Sequence, residues 1–438
     1  YVIRDEDSTT LNLNPLINFK GKIKILFDDK KYLEENVNLK PMDVYKMKFK
    51  INKDSNFRVI INDLKIDYET INKKLIKRSF KSTPLKIKET NQSLFNSAME
   101  DIGYRDFDKA KKKLKKIIED DPYHIDAISY LGEIHYRNGE YKKAIDIIDS
   151  GLAIDTYYPS LNYIAGIVYK EIGDYINSKE SLGWASRSIK YRSNALSKIA
   201  EISLIEKDYE TAISYSNKSL EYNSNNISSL EVLAISNRLL SNKEAHKKIL
   251  DKIESIDPIH HILSFEKFLL NPSEIYKTKF INSHRSELRN ETFLELSIRY
   301  FNLKQYKEAQ LILENGPRHL TNDIWISYIS NDKDKLDNII KSNSINFIFP
   351  FRRETIQILE WAKNGTTSWK VDYLLALNLW SKGRYDESQK LFEELSDVPE
   401  NENFYLSRAS ILKDTNVVSY NDDIKKAYMI NKKNWRAV

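Results

Sequence analysis

A 34-residue spacing between small side chains constrains the fold of this chain more than any other feature of its sequence. Ala110, Ala144, Ser178 and Ala212 follow one another at this interval without a gap. An aromatic residue stands three positions before each of them, and a second small residue stands twelve positions before. These partners are Phe107, Tyr141, Tyr175 and Tyr209, and Ala98, Gly132, Gly166 and Ala200. A period of this length is typical of solenoids, in which each repeat stacks on the next.

Each repeat is predicted to be a pair of antiparallel helices. Gly139 and Gly173 fall where the turn between the two helices is expected, and Asp121–Pro122 ends a repeat where proline cannot continue a helix. Small residues let the two helices approach closely, and the next pair covers the apolar face that remains. The sequence therefore predicts a mainly α architecture, an α-solenoid, with a regular array over residues 93–258.

The period weakens in the second half of the chain. The unit at Ser229–Pro258 has no turn glycine, and its alanine, Ala245, falls one position early. Two later units contain Tyr306 and Tyr385, whose separation of 79 residues is not a multiple of 34. Residues 259–438 are therefore predicted to form degenerate helical repeats interrupted by nonstandard helices.

The first 80 residues have a different pattern. Gly21–Phe27, Val44–Ile51 and Phe57–Asp63 alternate apolar and polar side chains with a period of two, which is typical of strands. Residues 1–80 are predicted to form a small or partial antiparallel β-sandwich. Residues 81–92, which lack helical periodicity, are predicted to be a linker.

Composition excludes several classes of function. The chain has 69 basic and 63 acidic residues, and a net charge of +6 argues against a dedicated nucleic-acid-binding protein. No apolar run reaches the roughly 18 residues that a membrane span requires. The sequence contains no cysteine, so disulfides, thiol nucleophiles and cysteine-ligated metals are excluded. Nothing in the sequence indicates the cellular compartment.

The sequence has no catalytic motif. HExxH, GxSxG, Walker A and GxGxxG patterns do not occur. His260 and His261 are adjacent, so their side chains would diverge by about 100° on a helix. We therefore expect no catalytic residue, no metal site and no cofactor, and no enzymatic activity from this chain alone.

The repeats resemble the tetratricopeptide repeat. Ala127–Asp155 matches its consensus at six positions, namely Leu131, Gly132, Gly139, Tyr141, Ala144 and Leu152. The resemblance implies a right-handed superhelix whose concave surface, lined by the first helix of each pair, binds a protein or peptide partner. The concave side chains would include Ser129, Glu133, Tyr136, Arg137, Tyr163, Lys170, Ser197, Glu201 and Arg238.

One known binding mode of such repeats is not expected. Tetratricopeptide domains that clamp an acidic chaperone C-terminus use Lys, Asn and Arg at the fifth and ninth positions of successive first helices. These positions are occupied here by Phe95 and Met99, Ser129 and Glu133, Tyr163 and Ile167, and Ser197 and Glu201. The clamp is absent, which disfavours a chaperone adaptor.

The second half of the chain resembles another group, the C-terminal part of large bacterial proteins. The similarity lies in His260–Glu274, Phe349–Ala362, Ser368–Leu395 and Asn401–Leu412, in that order. Those relatives carry an upstream β domain similar to the galactose-mutarotase superfamily. The resemblance implies a second hypothesis, in which the chain is the accessory helical half of a carbohydrate-active enzyme. Its partner would then be an upstream β domain of the same protein, with carbohydrate bound by the full-length protein.

A second candidate surface lies late in the chain. Arg and Trp dominate the energetics of many interfaces, and aromatic rings also stack on sugars. The residues concerned are Arg352, Arg353, Trp369, Tyr373 and Trp380. Trp361 and Trp380 have an alternative interpretation as core residues at helical spacing.

Overall fold

The computed structural model describes residues 2–51, 55–69, 89–395, 401–413 and 417–436. The chain divides into two compact units, one containing residues 1–88 and 248–263 and the other containing residues 89–247 and 264–438. The predicted linker, residues 81–92, lies outside the described residues except for its last four.

The N-terminal segment has two antiparallel sheets. Its strands are β1 (Val2–Arg4), β2 (Thr9–Leu13), β3 (Phe19–Phe27), β4 (Lys30–Leu39), β5 (Tyr45–Phe49), β6 (Phe57–Ile61) and β7 (Ile66–Glu69). One sheet has the order β1-β2-β5, and the other has the order β4-β3-β6-β7. Both contribute to one apolar core, so the segment has the sandwich-like construction that the sequence predicts.

The alternation of buried and less buried side chains explains which strands could be predicted from the sequence. In β3, Ile23 and Ile25 are fully buried while Lys24 between them is not, which is the signature of a strand with one face on a core. The three predicted strands correspond to β3, β5 and β6. The prediction missed β4, because most of Lys30–Leu39 is polar and its buried apolar residues, Val37 and Leu39, are confined to its end.

The rest of the described chain is helical. Its α-helices are α1 (Asn91–Gly103), α2 (Phe107–Asp120), α3 (Ile125–Arg137), α4 (Tyr141–Ile154), α5 (Pro159–Glu171), α6 (Tyr175–Ala185), α7 (Arg192–Ile205), α8 (Tyr209–Tyr222), α9 (Ile227–Leu239), α10 (Lys243–Ile256), α11 (His261–Leu270), α12 (Glu274–Ser283), α13 (Arg289–Asn302), α14 (Tyr306–Glu314), α15 (Leu320–Ile329), α16 (Lys333–Ser342), α17 (Arg353–Lys363), α18 (Trp369–Ser381), α19 (Tyr385–Glu394), α20 (Glu402–Leu412) and α21 (Val417–Ile430). The mainly α fold class is confirmed.

The turn inside a helix pair has one recurring backbone geometry. A residue with φ between 52° and 84° ends the first helix, and the N–H of the following residue donates to the carbonyl five positions back at 2.8–3.0 Å. This is the Schellman arrangement, which satisfies carbonyls left free at a helix end. The residues in this conformation are Arg105, Gly139, Gly173, Lys207, Ser241, Lys304, Asn331 and Gly383. The geometry therefore persists at turns where glycine is absent.

The small residues bring the two helices of a pair into backbone contact. Ser178 Oγ donates to the carbonyl of Gly166 at 2.5 Å, twelve positions earlier. The same buried hydrogen bond occurs in α18/α19, from Ser388 Oγ to the carbonyl of Ala376 at 2.7 Å. In α13/α14 its direction is reversed, because Ser297 Oγ of the first helix donates to the carbonyl of Ala309 at 2.8 Å. The twelve-residue relation thus survives in α13/α14 and α18/α19, after the 34-residue period has been lost.

The fifth pair keeps its register, contrary to the sequence interpretation. Ser241 has the turn conformation 34 positions after Lys207, and the next small-residue slot, 34 positions after Ala212, is occupied by His246. The imidazole is fully buried, with Nε2 3.0 Å from Oε2 of the buried Glu266. A histidine therefore fills the slot, and Ala245 is not a displaced copy of it.

Later helices of the helical unit contact the early ones. Arg353 of α17 forms an ion pair with Glu171 of α5 across 182 positions of sequence, with Nη2 3.4 Å from Oε1. The hydroxyl of Tyr385, at the start of α19, hydrogen-bonds to Asp108 of α2, 277 positions earlier. These contacts create a groove whose walls come from both halves of the repeat array.

Candidate binding groove

A groove of about 1110 Å³ lies between α3, α5, the loop after α6 and two later segments. The later segments are residues 351–354, at the start of α17, and residues 381–382, at the end of α18. Aromatic side chains form much of its wall, namely Phe107, Tyr130, Tyr136, Tyr158, Tyr163, Tyr191 and Phe351. We call this cavity the tyrosine groove.

The tyrosines are held by ring contacts and by burial. The rings of Tyr163 and Tyr191 lie 5.1 Å apart, and the guanidinium of Arg353 lies 4.1 Å from the centre of the Tyr136 ring. Burial, aided by the charge of Glu201, raises the pKa of Tyr163 to about 12. The hydroxyl is therefore protonated at neutral pH and available as a hydrogen-bond donor.

Three arginines at the groove are each paired with carboxylates. Arg137 Nη2 lies 2.6 Å from Glu133 Oε1, and Arg353 Nε lies 3.2 Å from Glu354 Oε1. Arg352 contacts two further carboxylates, Glu291 and Glu295, both at 3.3 Å. Their charge is therefore largely neutralised within the protein.

Lys382 also lines the groove, and it differs from these arginines. It is half-buried at the C-terminal end of α18, and its ammonium forms no hydrogen bond or ion pair with any described residue. Burial lowers the pKa of Lys382, and the nearby cations Arg353 and Arg352 lower it further, whereas Glu354 opposes the shift.

The structure brings together parts of the two predicted surfaces. The members of the first set that line the groove are Ser129, Glu133, Tyr136, Arg137 and Tyr163, and those of the second set are Arg352 and Arg353. The sequence offered no reason to place residues near 130 beside residues near 353.

Four predicted concave residues are not available to a partner in the structure. Glu201 is fully buried and bonded to Lys170, with Nζ 2.7 Å from Oε2, and Ser197 is 1% exposed. Arg238 is bonded to Glu266 at 2.9 Å and to Glu308 at 2.8 Å. The physical reason is that helices after residue 259, which the sequence predicted as a separate region of degenerate repeats, bring Glu266, Arg299 and Glu308 against this part of the wall.

Tyr373 belongs to the core and not to the second surface. It is 1% exposed, and its ring lies 5.5 Å from that of Phe404 and 6.1 Å from that of Phe392. Trp369 packs on the same cluster, with its ring 5.9 Å from Phe404. The sequence missed this assignment because the polar residues within α18, namely Lys370, Asp372 and Asn378, do not form one polar face, so periodicity does not distinguish its faces.

The two tryptophans with a core interpretation are half-buried. Trp361 packs edge-on against Tyr328, with ring centres 5.3 Å apart. Trp380 lines a different cavity, of about 830 Å³, together with Phe349 and Trp435. Neither tryptophan lines the tyrosine groove.

Sequence reasoning missed several residues of the groove. Tyr130, Tyr158 and Tyr191 carry no motif, although Tyr130 lies on a first helix that was expected to line the concave surface. Lys382 had no local signal at all, because its position depends on how α18 lies against helices more than 200 positions earlier.

Within the described ranges there is neither a metal-binding cluster nor a membrane-spanning helix. No cluster of three or more His, Asp or Glu side chains there has the arrangement needed to hold a metal ion. Among the helices described, none is both long enough and apolar enough to span a membrane.

Comparison with known families gives one sequence match. Residues 102–157 match the tetratricopeptide repeat. The matched stretch runs from the end of α1 to the residues just after α4, and so includes the Gly139 turn and three of the small residues, Ala110, Gly132 and Ala144. The match confirms helix pairs of the tetratricopeptide type within residues 102–157. A search of curated proteins finds no match.

Solved structures of repeat proteins share partial likeness with the chain. PilF of Pseudomonas aeruginosa matches at 18% identity and a TM-score of 0.41, covering 50% of this chain and 96% of PilF. A tetratricopeptide repeat protein of Parabacteroides merdae matches at 16% identity and a TM-score of 0.38, covering 66% of this chain and 98% of its own. YrrB, a tetratricopeptide repeat protein with an unusual peptide-binding site, matches at 18% identity and a TM-score of 0.35, covering 41% of this chain and 92% of YrrB. At these scores, the likeness says nothing about what this chain binds.

Proposed function

We propose that this chain is a non-catalytic repeat scaffold that binds a protein or peptide partner in the tyrosine groove. The observation that carries the proposal is the composition of the groove wall. Tyr130, Tyr163 and Tyr191 present rings together with hydroxyl groups, on successive first helices and the loop beside them. Tyrosine provides a large contact area at a low cost in conformational entropy, which makes it a frequent contact residue in protein recognition.

The shape of the groove suits an extended segment. It continues from α3 to α5, so its floor follows the direction in which the repeats stack. Ser129 and Ser160, from these two helices, lie in the floor with their hydroxyl oxygens 2.6 Å apart. An extended peptide could lay side chains between the rings while its main chain bonds to such hydroxyls.

A peptide-display experiment tests the proposal. Random peptides selected on the wild-type chain should lose at least about tenfold in affinity for Tyr163→Ala, because a groove aromatic is typical of a binding hot spot. Tyr222→Ala is the matched control, since Tyr222 is 58% exposed and does not line the groove. Equal binding by the wild-type chain and both variants would contradict the proposal.

The second hypothesis, the accessory half of a carbohydrate-active enzyme, is supported by the sequence resemblance of the C-terminal half. A tyrosine-lined groove is also chemically suited to stacking on sugar rings. An oligosaccharide array probed with the wild-type chain and with Tyr163→Ala separates the two hypotheses. Tyr163-dependent binding of sugars, without peptide binding, would favour the carbohydrate hypothesis.

A further inference from the structure

We propose that the tyrosine groove selects a peptide with an acidic side chain, whose carboxylate binds the ammonium of Lys382. This inference rests on the proposed function, because it specifies the chemistry of the peptide in the same groove. It differs from the chaperone clamp excluded by the sequence, since Lys382 ends the first helix of a late pair and does not occupy an early first helix.

Lys382 is held in place by its main chain. Its backbone N–H donates to the carbonyls of Asn378 and Leu379, which fixes the main chain at the end of α18. The side chain has no partner among the described residues, although it is half-buried. A partly desolvated ammonium without a counter-ion is unfavourable, so a ligand that supplies a negative charge gains binding energy there.

Most of the charged groups that act on Lys382 are arginines. Arg137, Arg352 and Arg353 lie close enough to lower the pKa of Lys382, after the larger effect of burial. Glu354 is the acidic group that acts on Lys382 in the opposite direction, but its carboxylate is bonded to Arg353 Nε at 3.2 Å. No carboxylate of the described chain therefore forms an ion pair with the ammonium, and Glu354 acts on it only from a longer distance.

Two other lysines differ from Lys382 in their burial or in their ion pairing. Lys190 also lines the groove but is exposed, so water solvates its charge. Lys170 is buried but bonded to Glu201 at 2.7 Å. Lys382 combines partial burial, a position in the groove and the absence of a partner.

A carboxylate carried by a peptide can reach Lys382 while the neighbouring residues of the peptide contact the tyrosines, because Lys382 and the tyrosines line one groove. Acidic sugars carry the same carboxylate chemistry, so the experiment must separate the two sources.

The main experiment is a double-mutant cycle with peptides selected on the wild-type chain. Replacing one acidic residue of the peptide by its amide should weaken binding to the wild-type chain by about tenfold or more, as expected for a hydrogen bond to a charged group. The same replacement should have no effect on binding to Lys382→Gln and its full effect on binding to Lys112→Gln, since Lys112 is exposed and does not line the groove. Equal effects in all three proteins, or selected peptides without acidic residues, would overturn the inference and leave peptide binding intact.

A smaller probe makes the two proposals separable. N-acetylglutamate amide, at constant ionic strength, should shift the NMR signal of ¹³C-dimethylated Lys382, assigned by its loss in Lys382→Arg, and N-acetylglutamine amide should not. A shift without any peptide binding would disprove the peptide scaffold and show a carboxylate site. No shift with the glutamate probe, or tighter binding of a galacturonate oligomer than of acidic peptides, would disprove the acidic-peptide proposal.

Discussion

Arg299 donates a hydrogen bond to the fully buried carboxylate of Glu201, 98 positions earlier in the chain, with Nη1 2.7 Å from Oε1. Glu201 also accepts from Lys170 at 2.7 Å and from Lys198 at 2.9 Å, and Arg299 also contacts Glu231 at 2.7 Å. This charge cluster joins α5, α7 and α9 to α13. The early and late repeats are thus connected by buried charges as well as by apolar packing.

Removing one partner from the cluster should be costly. We expect Arg299→Met to lower the free energy of unfolding by about 3 kcal/mol, because it removes the buried cation that Glu201 and Glu231 share. The control is Arg318→Met, whose side chain is 83% exposed and should contribute less than about 1 kcal/mol. Urea unfolding measures both variants, and equal losses would contradict the role assigned to the cluster.

The cluster should make stability depend on acid pH. Burial acts to raise the pKa of Glu201, but Lys170, Lys198 and Arg299 outweigh it and hold the pKa well below 4.5. The carboxylate therefore contributes stability that is fully present above pH 4.5 and is lost as the pH falls through the depressed folded-state value.

Glu201→Gln tests this dependence. Its deficit in unfolding free energy, measured in urea from pH 7 to pH 3, should be largest at pH 7 and should shrink as the wild-type carboxylate becomes protonated. A deficit that stays constant over this range would show that Glu201 acts through packing and not through charge.

Two glycines in neighbouring helices should respond oppositely to alanine. A Cβ at Gly166 would lie 2.5 Å from Leu182 Cγ and 3.2 Å from its backbone nitrogen, so Gly166→Ala should destabilise the chain by about 1–3 kcal/mol. A Cβ at Gly183 would meet nothing within 4 Å, so Gly183→Ala should stabilise α6 by about 0.5–1 kcal/mol. Calorimetric melting of the two variants checks the sign, and a stabilising Gly166→Ala would disprove the close approach of α5 and α6.

The turn conformation gives another pair of opposite effects. Lys207 has φ of 66°, a left-handed conformation that is unfavourable for a residue with a Cβ atom. Lys207→Gly should therefore raise the free energy of unfolding by about 0.5 kcal/mol. Gly173 has φ of 84°, and Gly173→Ala should lower it by about 1 kcal/mol although no neighbour would be touched. Denaturant midpoints decide the matter, and a destabilising Lys207→Gly would contradict the shared turn geometry.

The parts of the fold that depend on neighbouring repeats could be predicted from the sequence. Ala144 and Ser178 are small because adjacent helices pack closely at these positions, and that packing is set by side chains close in sequence. The alternation around Ile23 and Ile25 likewise reports one face of one strand.

The candidate groove could be predicted only in part. Tyr136 and Tyr163 follow from the repeat register, whereas Arg353 and Lys382 reach the groove through the accumulated rotation of many helix pairs. Small differences in each crossing angle add up over such distances, and no local pattern of residues encodes their sum. The turn at Asn331 was missed for another reason, because its backbone geometry is kept without the glycine that marks it elsewhere.

Two long-range contacts affect how the helical unit unfolds, namely that of Arg353 with Glu171 and that of Tyr385 with Asp108. An open array held together by nearest neighbours can fray from one end, one repeat at a time. Here α17 and α19 are anchored to α5 and α2, so the opening of these late helices must also break contacts near the beginning. Amide hydrogen exchange should accordingly show α2, α5, α17 and α19 opening as one cooperative unit, instead of a gradient of protection along the chain.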